Sequence, residues 1–517
     1  MINKKTLLST ALIGAALTPA LTMASGYKLN EQSAAGMGTA HAGRAAMAED
    51  ASVIFYNPAA MTELARAQIT AGFTYIKGNG EFTGNAVNAA QGGMTGADDS
   101  DPYSDGGNYL GEAFIPFVYY VRPINEKLSL GLGIFAPFGT NTDYSSDFVG
   151  GGYADETSLT SLEIQPSFAY KVNDQLSIGG GIDIVYMEGL LSKSTDLVPY
   201  NAQADAGYDL AFAGAKQNQL SDADAQTFAE AQIGGISKDS PLIDPNNAGY
   251  ENHYEVEGDD WGYGFNLGAF YKLSDATTIG FTYRSEIEIT LEGDSVFDGE
   301  GPVMVYSSAA DAVVPVGALV GDMTQTTLAP QASEVPLTTP QSATLAVTHQ
   351  VSEALLLQAG TTWTGWSSFQ SFDILAKEET AAADISDVTA LGDGYIGHID
   401  ESWTDVWAVS VGGTYQLNDR IALRAGYAFD QSPVDDEHRT ARVPSSDRQW
   451  LTAGVQYVVN NDLSIDVAAG YLYMESMSLN EINKNVDNSA KDDAGVGVTG
   501  EYEIDVFGLS AQVNYQF

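Results

Sequence analysis

From Ala67 onward, apolar and polar residues alternate along the chain. Ile69, Ala71, Phe73 and Tyr75 take one parity and Thr70, Gly72 and Thr74 the other. An extended backbone sends successive side chains to opposite faces, so this stretch predicts a strand with one greasy face and one small or polar face. The pattern returns in the sets beginning at Leu128, Ile164, Ile178, Tyr263, Ile279, Trp407, Ile421, Leu451 and Leu463. With Phe114 to Arg122, Leu337 to Val351, Leu355 to Ile374 and Ile504 to Phe517 it predicts fourteen strands. Many exceed the roughly 9–11 residues that cross a bilayer when tilted. Sandwich and propeller strands run nearer to about 5–6 residues, which disfavours those folds. Short polar turns such as Asn173-Asp174, Ser274-Asp275, Asn418-Asp419 and Asn461-Asp462 alternate with long connections, chiefly residues 189–259, 294–335 and 376–401. Short turns at one end and long loops at the other predict an all-β fold, a 14-stranded antiparallel transmembrane β-barrel over residues 66–517.

The region before the first strand has a different character. Lys4 and Lys5 precede an apolar run from Leu7 to Leu17, and Thr22-Met23-Ala24 offers small residues for cleavage, so residues 1–24 read as a secretory signal peptide. Residues 25–65 are rich in Gly and Ala, do not alternate, and contain Asn57-Pro58-Ala59. A fourteen-stranded lumen lies between the roughly 8 strands that fill with side chains and the 16–18 that leave a channel. It leaks unless something occupies it, and residues 25–65 are the candidate for an N-terminal hatch.

Composition narrows the function. The chain carries 68 acidic and 22 basic residues, a net charge of −46. Nucleic-acid binding is thereby excluded, because phosphate contacts need clustered Lys and Arg. No Cys is present, so disulfides and thiolate metal sites are ruled out. The His residues at 41, 253, 349, 398 and 438 show no ligand spacing, and no metal or cofactor is expected. Gly392-Asp393-Gly394-Tyr395-Ile396-Gly397 has dinucleotide-loop spacing but no strand-to-helix context. No nucleophile elbow appears, so the chain is not expected to be an enzyme. The terminal Tyr515-Gln516-Phe517 suits hand-over to the barrel-assembly machinery, and the other expected partners are outer-membrane lipid and lipopolysaccharide around a monomer.

Gly26-Tyr27-Lys28-Leu29-Asn30-Glu31-Gln32-Ser33, Asp50-Ala51-Ser52 and Asn57-Pro58-Ala59 closely resemble the start of the long-chain fatty acid transporter (FadL) family. The resemblance resumes at Tyr283-Arg284-Ser285-Glu286-Ile287 and Trp363 to Phe369, and is densest from Arg424 to Val434 and at Val443 to Arg448. It implies a cell outer-membrane protein that passes long-chain fatty acids by passive diffusion through a plugged barrel with a lateral exit; relatives of the family take up aromatic or aliphatic hydrocarbons by the same route. It also implies an inward kink in the third strand, here Leu128 to Pro137, where Gly131, Gly133 and Pro137 suit a bend. The Asn57-Pro58-Ala59 element matches the hatch motif that lies against this kink. Tyr27 takes the position where the family places an aromatic beside the pocket, and Lys28 and Leu29 share its candidate role in ligand binding or gating.

A buried carboxylate needs a partner, so a fatty acid site wants a cation beside an otherwise apolar pocket. Arg284, Arg424 and Arg448 have lumen-facing parity, and Lys28 and Arg44 lie in the hatch. The alternative for each arginine is a bracing pair with an acid such as Glu286, Glu288, Asp183 or Asp430.

Overall fold

A computed structural model describes residues 26–88, 93–96, 104–196, 210–232, 251–299, 304–307, 312–315, 330–377, 394–482 and 497–517. The signal-peptide reading of residues 1–24 lies outside the described residues. Fourteen antiparallel spans form the wall. They are β1 (Gln68–Asn88), β2 (Glu112–Pro123), β3 (Leu128–Phe135, resuming at Gly139–Asp143), β4 (Glu156–Lys171) and β5 (Leu176–Asp196). Next come β6 (Glu251–Lys272), β7 (Thr277–Arg284 and Ile287–Gly299), β8 (Gln331–Thr339 and Ser342–Gln350) and β9 (Leu355–Thr364 and Ser371–Ala376). The last are β10 (Tyr395–Asp400 and Val406–Asn418), β11 (Ile421–Asp430), β12 (Arg448–Asn460), β13 (Leu463–Met474 and Met477–Ile482) and β14 (Gly497–Gln516). Consecutive spans pair, and β14 returns to β1 from Gln68↔Gln516 to Val87↔Gly497, which closes the barrel. Gly394 to Gly397, part of the dinucleotide-like spacing, enters the antiparallel span β10 and is no phosphate loop.

The outer surface carries exposed Leu130, Leu132, Phe168, Ile182, Phe265, Leu267, Phe281, Val411 and Leu451. The inner wall buries Gln165, Asp183, Arg424, Asp466, Gln512 and Asn514. An apolar outside and a polar inside are the inverse of a soluble protein and fit a lipid-embedded wall.

The spans run further than the sequence reading placed them. β5 continues to Asp196 and β6 starts at Glu251, both inside the connection expected at 189–259; β7 continues to Gly299, and Tyr395–Asp400 lies inside 376–401. Alternation persists there, but its outward positions are acidic rather than apolar, which masked it. Glu188, Asp259, Glu292 and Glu334 stand directly opposite one another on β5, β6, β7 and β8. Like charges in cross-strand register repel, so this row is tolerable only outside the hydrocarbon, in water.

The hatch crosses the lumen. It consists of short helices at Ala34–Met37 and Val53–Tyr56 and 3-10 turns at Arg44–Ala46 and Pro58–Glu63. On one side Ser33 Oγ and Ala34 N donate to Gln512 Oε1 of β14 at 3.0 and 2.8 Å, and Thr74 Oγ1 of β1 donates to the Glu31 carbonyl at 2.9 Å. On the other side Gln165 Nε2 of β4 donates to the Ile54 carbonyl at 2.8 Å. A segment with little regular structure exposes many backbone polar groups, and the polar inner wall satisfies them.

Candidate functional site

The wall opens between β2 and β3. β2 and β3 pair from Val118↔Ile134 to Pro123↔Ser129, and beyond Phe135 β3 departs from β2; Gly139–Asp143 pairs with β4. Pro137 sits in the break and has no N–H to give a ladder. The hatch supplies the missing bonds. Leu29 N donates to the Pro137 carbonyl and Gly139 N donates to the Tyr27 carbonyl, both at 2.8 Å, making an antiparallel bridge between Lys28 and Phe138. Gln32 Nε2 donates to the Ala136 carbonyl. The first residues of the hatch therefore act as a surrogate strand along the kink.

Further down, Gly131 and Gly133 receive the hatch. A Cβ at Gly131 would meet Met61 Sδ at 2.6 Å and Ile54 Cδ1 at 2.8 Å, and one at Gly133 would meet Ile54 Cγ2 at 3.1 Å. Ala59 of Asn57-Pro58-Ala59 lies in one apolar cluster with Ile54, Met61 and Phe135, and Asn57 reaches the neighbouring wall. Asn57 Nδ2 donates to the carbonyls of Ala45 and, on β6, Ala269, and Asn57 Oδ1 accepts from Ala59 N at 3.1 Å. Its side chain occupies the space over Gly268, where a Cβ would lie 2.1 Å from Asn57 Oδ1. Asn57 thus fixes the turn that presents Ile54 and Met61 to the kinked strand.

Above the hatch the lumen turns apolar. Leu159, Val185, Leu191, Val256, Ile287, Ile289, Leu291, Val335, Leu337, Phe372 and Ile374 are buried in one cluster that includes Tyr27. Several of these were expected to face lipid. On β7, Phe281 is exposed while Ile287, Ile289 and Leu291 are buried, although all share odd parity. On β8, Leu337 is buried and Leu345 is exposed. The spans break at Ser285-Glu286 and at Pro340-Gln341, and a one-residue slip sends every later side chain to the opposite face. Glu286 and Glu288 are in consequence not lumen acids; the slip leaves both exposed. The Ser285-Glu286 step, which interrupts strict alternation, was the signal available in the sequence.

The three wall arginines do point inward. Arg284 Nη1 lies 2.7 Å from Glu163 Oε1 and 2.9 Å from Asp183 Oδ2, and Nη2 donates to Gln165 Oε1 at 2.9 Å. Arg424 Nη1 lies 2.5 Å from Asp466 Oδ1 and Nη2 lies 3.3 Å from Glu49 Oε2 in the hatch. Both are thereby committed to protein acids. Arg448 donates from Nη2 to Ser445 Oγ at 3.0 Å, while its buried Nε and Nη1 have no hydrogen-bond partner among the described residues. Sequence reasoning missed Arg442, which a loop between β11 and β12 carries inward, where Nη1 donates to Thr157 Oγ1 at 3.2 Å. Glu401, accepting from Trp403 Nε1 at 2.8 Å and Thr440 Oγ1 at 3.1 Å, helps to hold that loop; burial pushes its carboxyl up to about 8.

Two cavities flank the start of the hatch, Tyr27 lining one and Lys28 the other. The apolar one, about 30 Å³, is lined by Tyr27, Leu159, Leu191, Val256, Leu291 and Phe372, among others. The other, about 130 Å³, lies deeper, and its charged or titratable lining includes Lys28, Glu31, His41, Arg44, Arg284 and Asp430. Leu29 enters neither; it packs in a second apolar cluster with Ile76, Ile115 and Ala136.

The model of the family of outer membrane protein transport proteins (OMPP1/FadL/TodX) matches residues 15–517. The chain belongs to this family. Among its FadL relatives, the long-chain fatty acid transport protein of Escherichia coli (strain K12) is 27% identical over 483 residues, spanning 93% of this chain and 95% of that one. Outer membrane protein P1 of Haemophilus influenzae (strain ATCC 51907 / DSM 11121 / KW20 / Rd) is 26% identical over 526 residues, 99% of both chains. The crystal structure of a Pseudomonas aeruginosa FadL homologue superposes with a TM-score of 0.73 at 24% identity, covering 95% of this chain and 100% of that one. The P. putida toluene transporter TodX gives 0.57 at 16%, covering 90% and 94%. Membership in the FadL family makes the chain an outer-membrane transport protein for hydrophobic compounds.

Proposed function

We propose that the protein takes up long-chain fatty acids across the outer membrane, passively, by displacement of the Tyr27–Leu29 segment and sideways exit at the kink in β3. One observation carries the choice of an acid: adjacent residues line an apolar pocket and a chamber bearing cationic side chains, Tyr27 the one and Lys28 the other. Each methylene that enters the apolar cluster contributes about 0.8 kcal/mol, and the carboxylate has cations within reach, so neither end of the ligand is left in a hostile medium. The apolar pocket, at about 30 Å³, is far below the roughly 300–1,000 Å³ of ligand-holding sites. Ligand therefore enters by moving Tyr27, the side chain at its border, and the same movement withdraws the surrogate strand from Pro137 and Gly139.

The test is growth and labelled-substrate uptake by a strain lacking the gene, with and without the gene restored. Oleate uptake is expected to depend on the gene, and toluene or alkane uptake to change little. The reverse pattern would reassign the path to aromatic or aliphatic hydrocarbons, and no change with either substrate would end the proposal.

A further inference from the structure

The segment dividing the two cavities has two chemically different faces. Its backbone is extended at the bridge to Phe138, so adjacent side chains leave on opposite sides. Tyr27 enters the apolar pocket and Lys28 enters the deeper chamber. Of the cations near either cavity, most already have carboxylate partners. Arg284 is held by Glu163 and Asp183, and Arg44 lies 2.9 Å from Glu49 and 3.8 Å from Asp50. Arg442 faces two carboxylates, Glu481 and Glu401, besides its bond to Thr157. Arg448 lines neither cavity. Lys28 is half-buried and has no hydrogen-bonded or ion-paired partner among the described residues.

The chamber also contains the means to keep Lys28 available. Glu31, in the same segment, is buried, and neither carboxylate oxygen has a hydrogen-bond partner among the described residues; its nearest cation-forming neighbour is His41 Nε2, 3.9 Å from Oε1. Burial pushes it up to about 7, so near neutral pH much of it is uncharged and competes weakly for the ammonium. Lys28 is itself lowered to about 8 by burial and by Arg284, against the pull of Asp430. An ammonium left in that condition gains from an added anion.

We propose that Lys28 receives the ligand's carboxylate when Tyr27 swings aside, and that it sets the preference for acids over uncharged lipids of equal chain length. The assignment rests on the fatty-acid reading above and adds the residue that enforces it. A charge-assisted hydrogen bond away from bulk water corresponds to a preference of roughly tenfold to a hundredfold. Tyr27, on the other face, meets only the acyl chain and does not discriminate between head groups.

The experiment measures equilibrium binding of oleate and of oleyl alcohol to the purified full-length protein in detergent at pH 7. Wild type, Lys28→Met, Lys28→Arg and Arg442→Met are compared, each first shown to migrate as a folded barrel before heating. Wild type is expected to prefer oleate at least about tenfold. In Lys28→Met the ratio falls to near one while oleyl alcohol still binds, and in Lys28→Arg it survives. A ratio that persists in Lys28→Met, or that falls in Arg442→Met instead, overturns the assignment and leaves the fatty-acid reading standing. A wild type with no preference overturns that reading, and the assignment falls with it.

Discussion

Removing residues 25–65 is expected to turn a closed barrel into a conducting pore. Except at the kink in β3, where the hatch bonds to Ala136, Pro137 and Gly139, the wall does not need the hatch for its own hydrogen bonds, because β14 pairs with β1 along its length and the other spans pair with their neighbours. The outer apolar face is likewise independent of the hatch. What the deletion uncovers is polar: Thr70, Thr74, Asp466, Gln512 and Asn514 are buried only because the hatch and wall occupy the lumen together. A lumen of fourteen strands with that lining fills with water. In planar bilayers the truncated protein should give step-like ionic currents, and the full chain should give none of comparable size. Equal, low conductance from a correctly inserted truncation would mean that the loops, not the hatch, close the barrel.

The second large effect concerns Arg284. Replacing it with Met leaves Glu163 and Asp183 buried in the wall without their cation. Breaking a buried pair in this way costs about 3–5 kcal/mol, much of it the price of the abandoned charges, whereas removing all partners together can be nearly neutral. Arg284→Met should therefore lower the denaturation midpoint sharply, read as the loss of the compact electrophoretic form on heating. Adding Glu163→Gln and Asp183→Asn should return most of the lost stability. If the single variant is as stable as wild type but binds oleate poorly, Arg284 belongs to the ligand site and not to the bracing of the wall.

Much of this architecture was legible in the sequence, and the exceptions have a common cause. Strict alternation identified each span because one face must meet lipid and the other must not. The hatch was visible as a non-alternating, Gly-rich stretch ahead of the first strand. The apolar pocket was not visible, because its residues are lipid-like in type and share parity with residues that do face lipid. Ile287 and Phe281 differ in destination only through the break at Ser285-Glu286. Arg442 was missed because a connection between strands gives no periodic signal; only packing turns it inward. Asn57-Pro58-Ala59 was recognised as a unit, but the neighbouring Ile54 and Met61, ordinary apolar residues, make the contact with Gly131. Lys28 was a candidate by position alone, and its significance depends on which of its neighbours are already paired.

The most direct test of the account is to tether the surrogate strand to the kink. Lys28 and Phe138 oppose each other in the antiparallel bridge, with the hydrogen bonds carried by the residues on either side. Such a pair has Cα atoms about 4.5 Å apart, within the roughly 4.4–6.8 Å that a disulfide spans. The chain has no Cys, so Lys28→Cys with Phe138→Cys can form only one bridge. Oleate uptake by cells carrying this variant should be negligible when the bridge is oxidised and should rise on reduction to the level that Lys28→Met supports. Uptake at the same rate in both states would contradict displacement of the Tyr27–Leu29 segment as the way through.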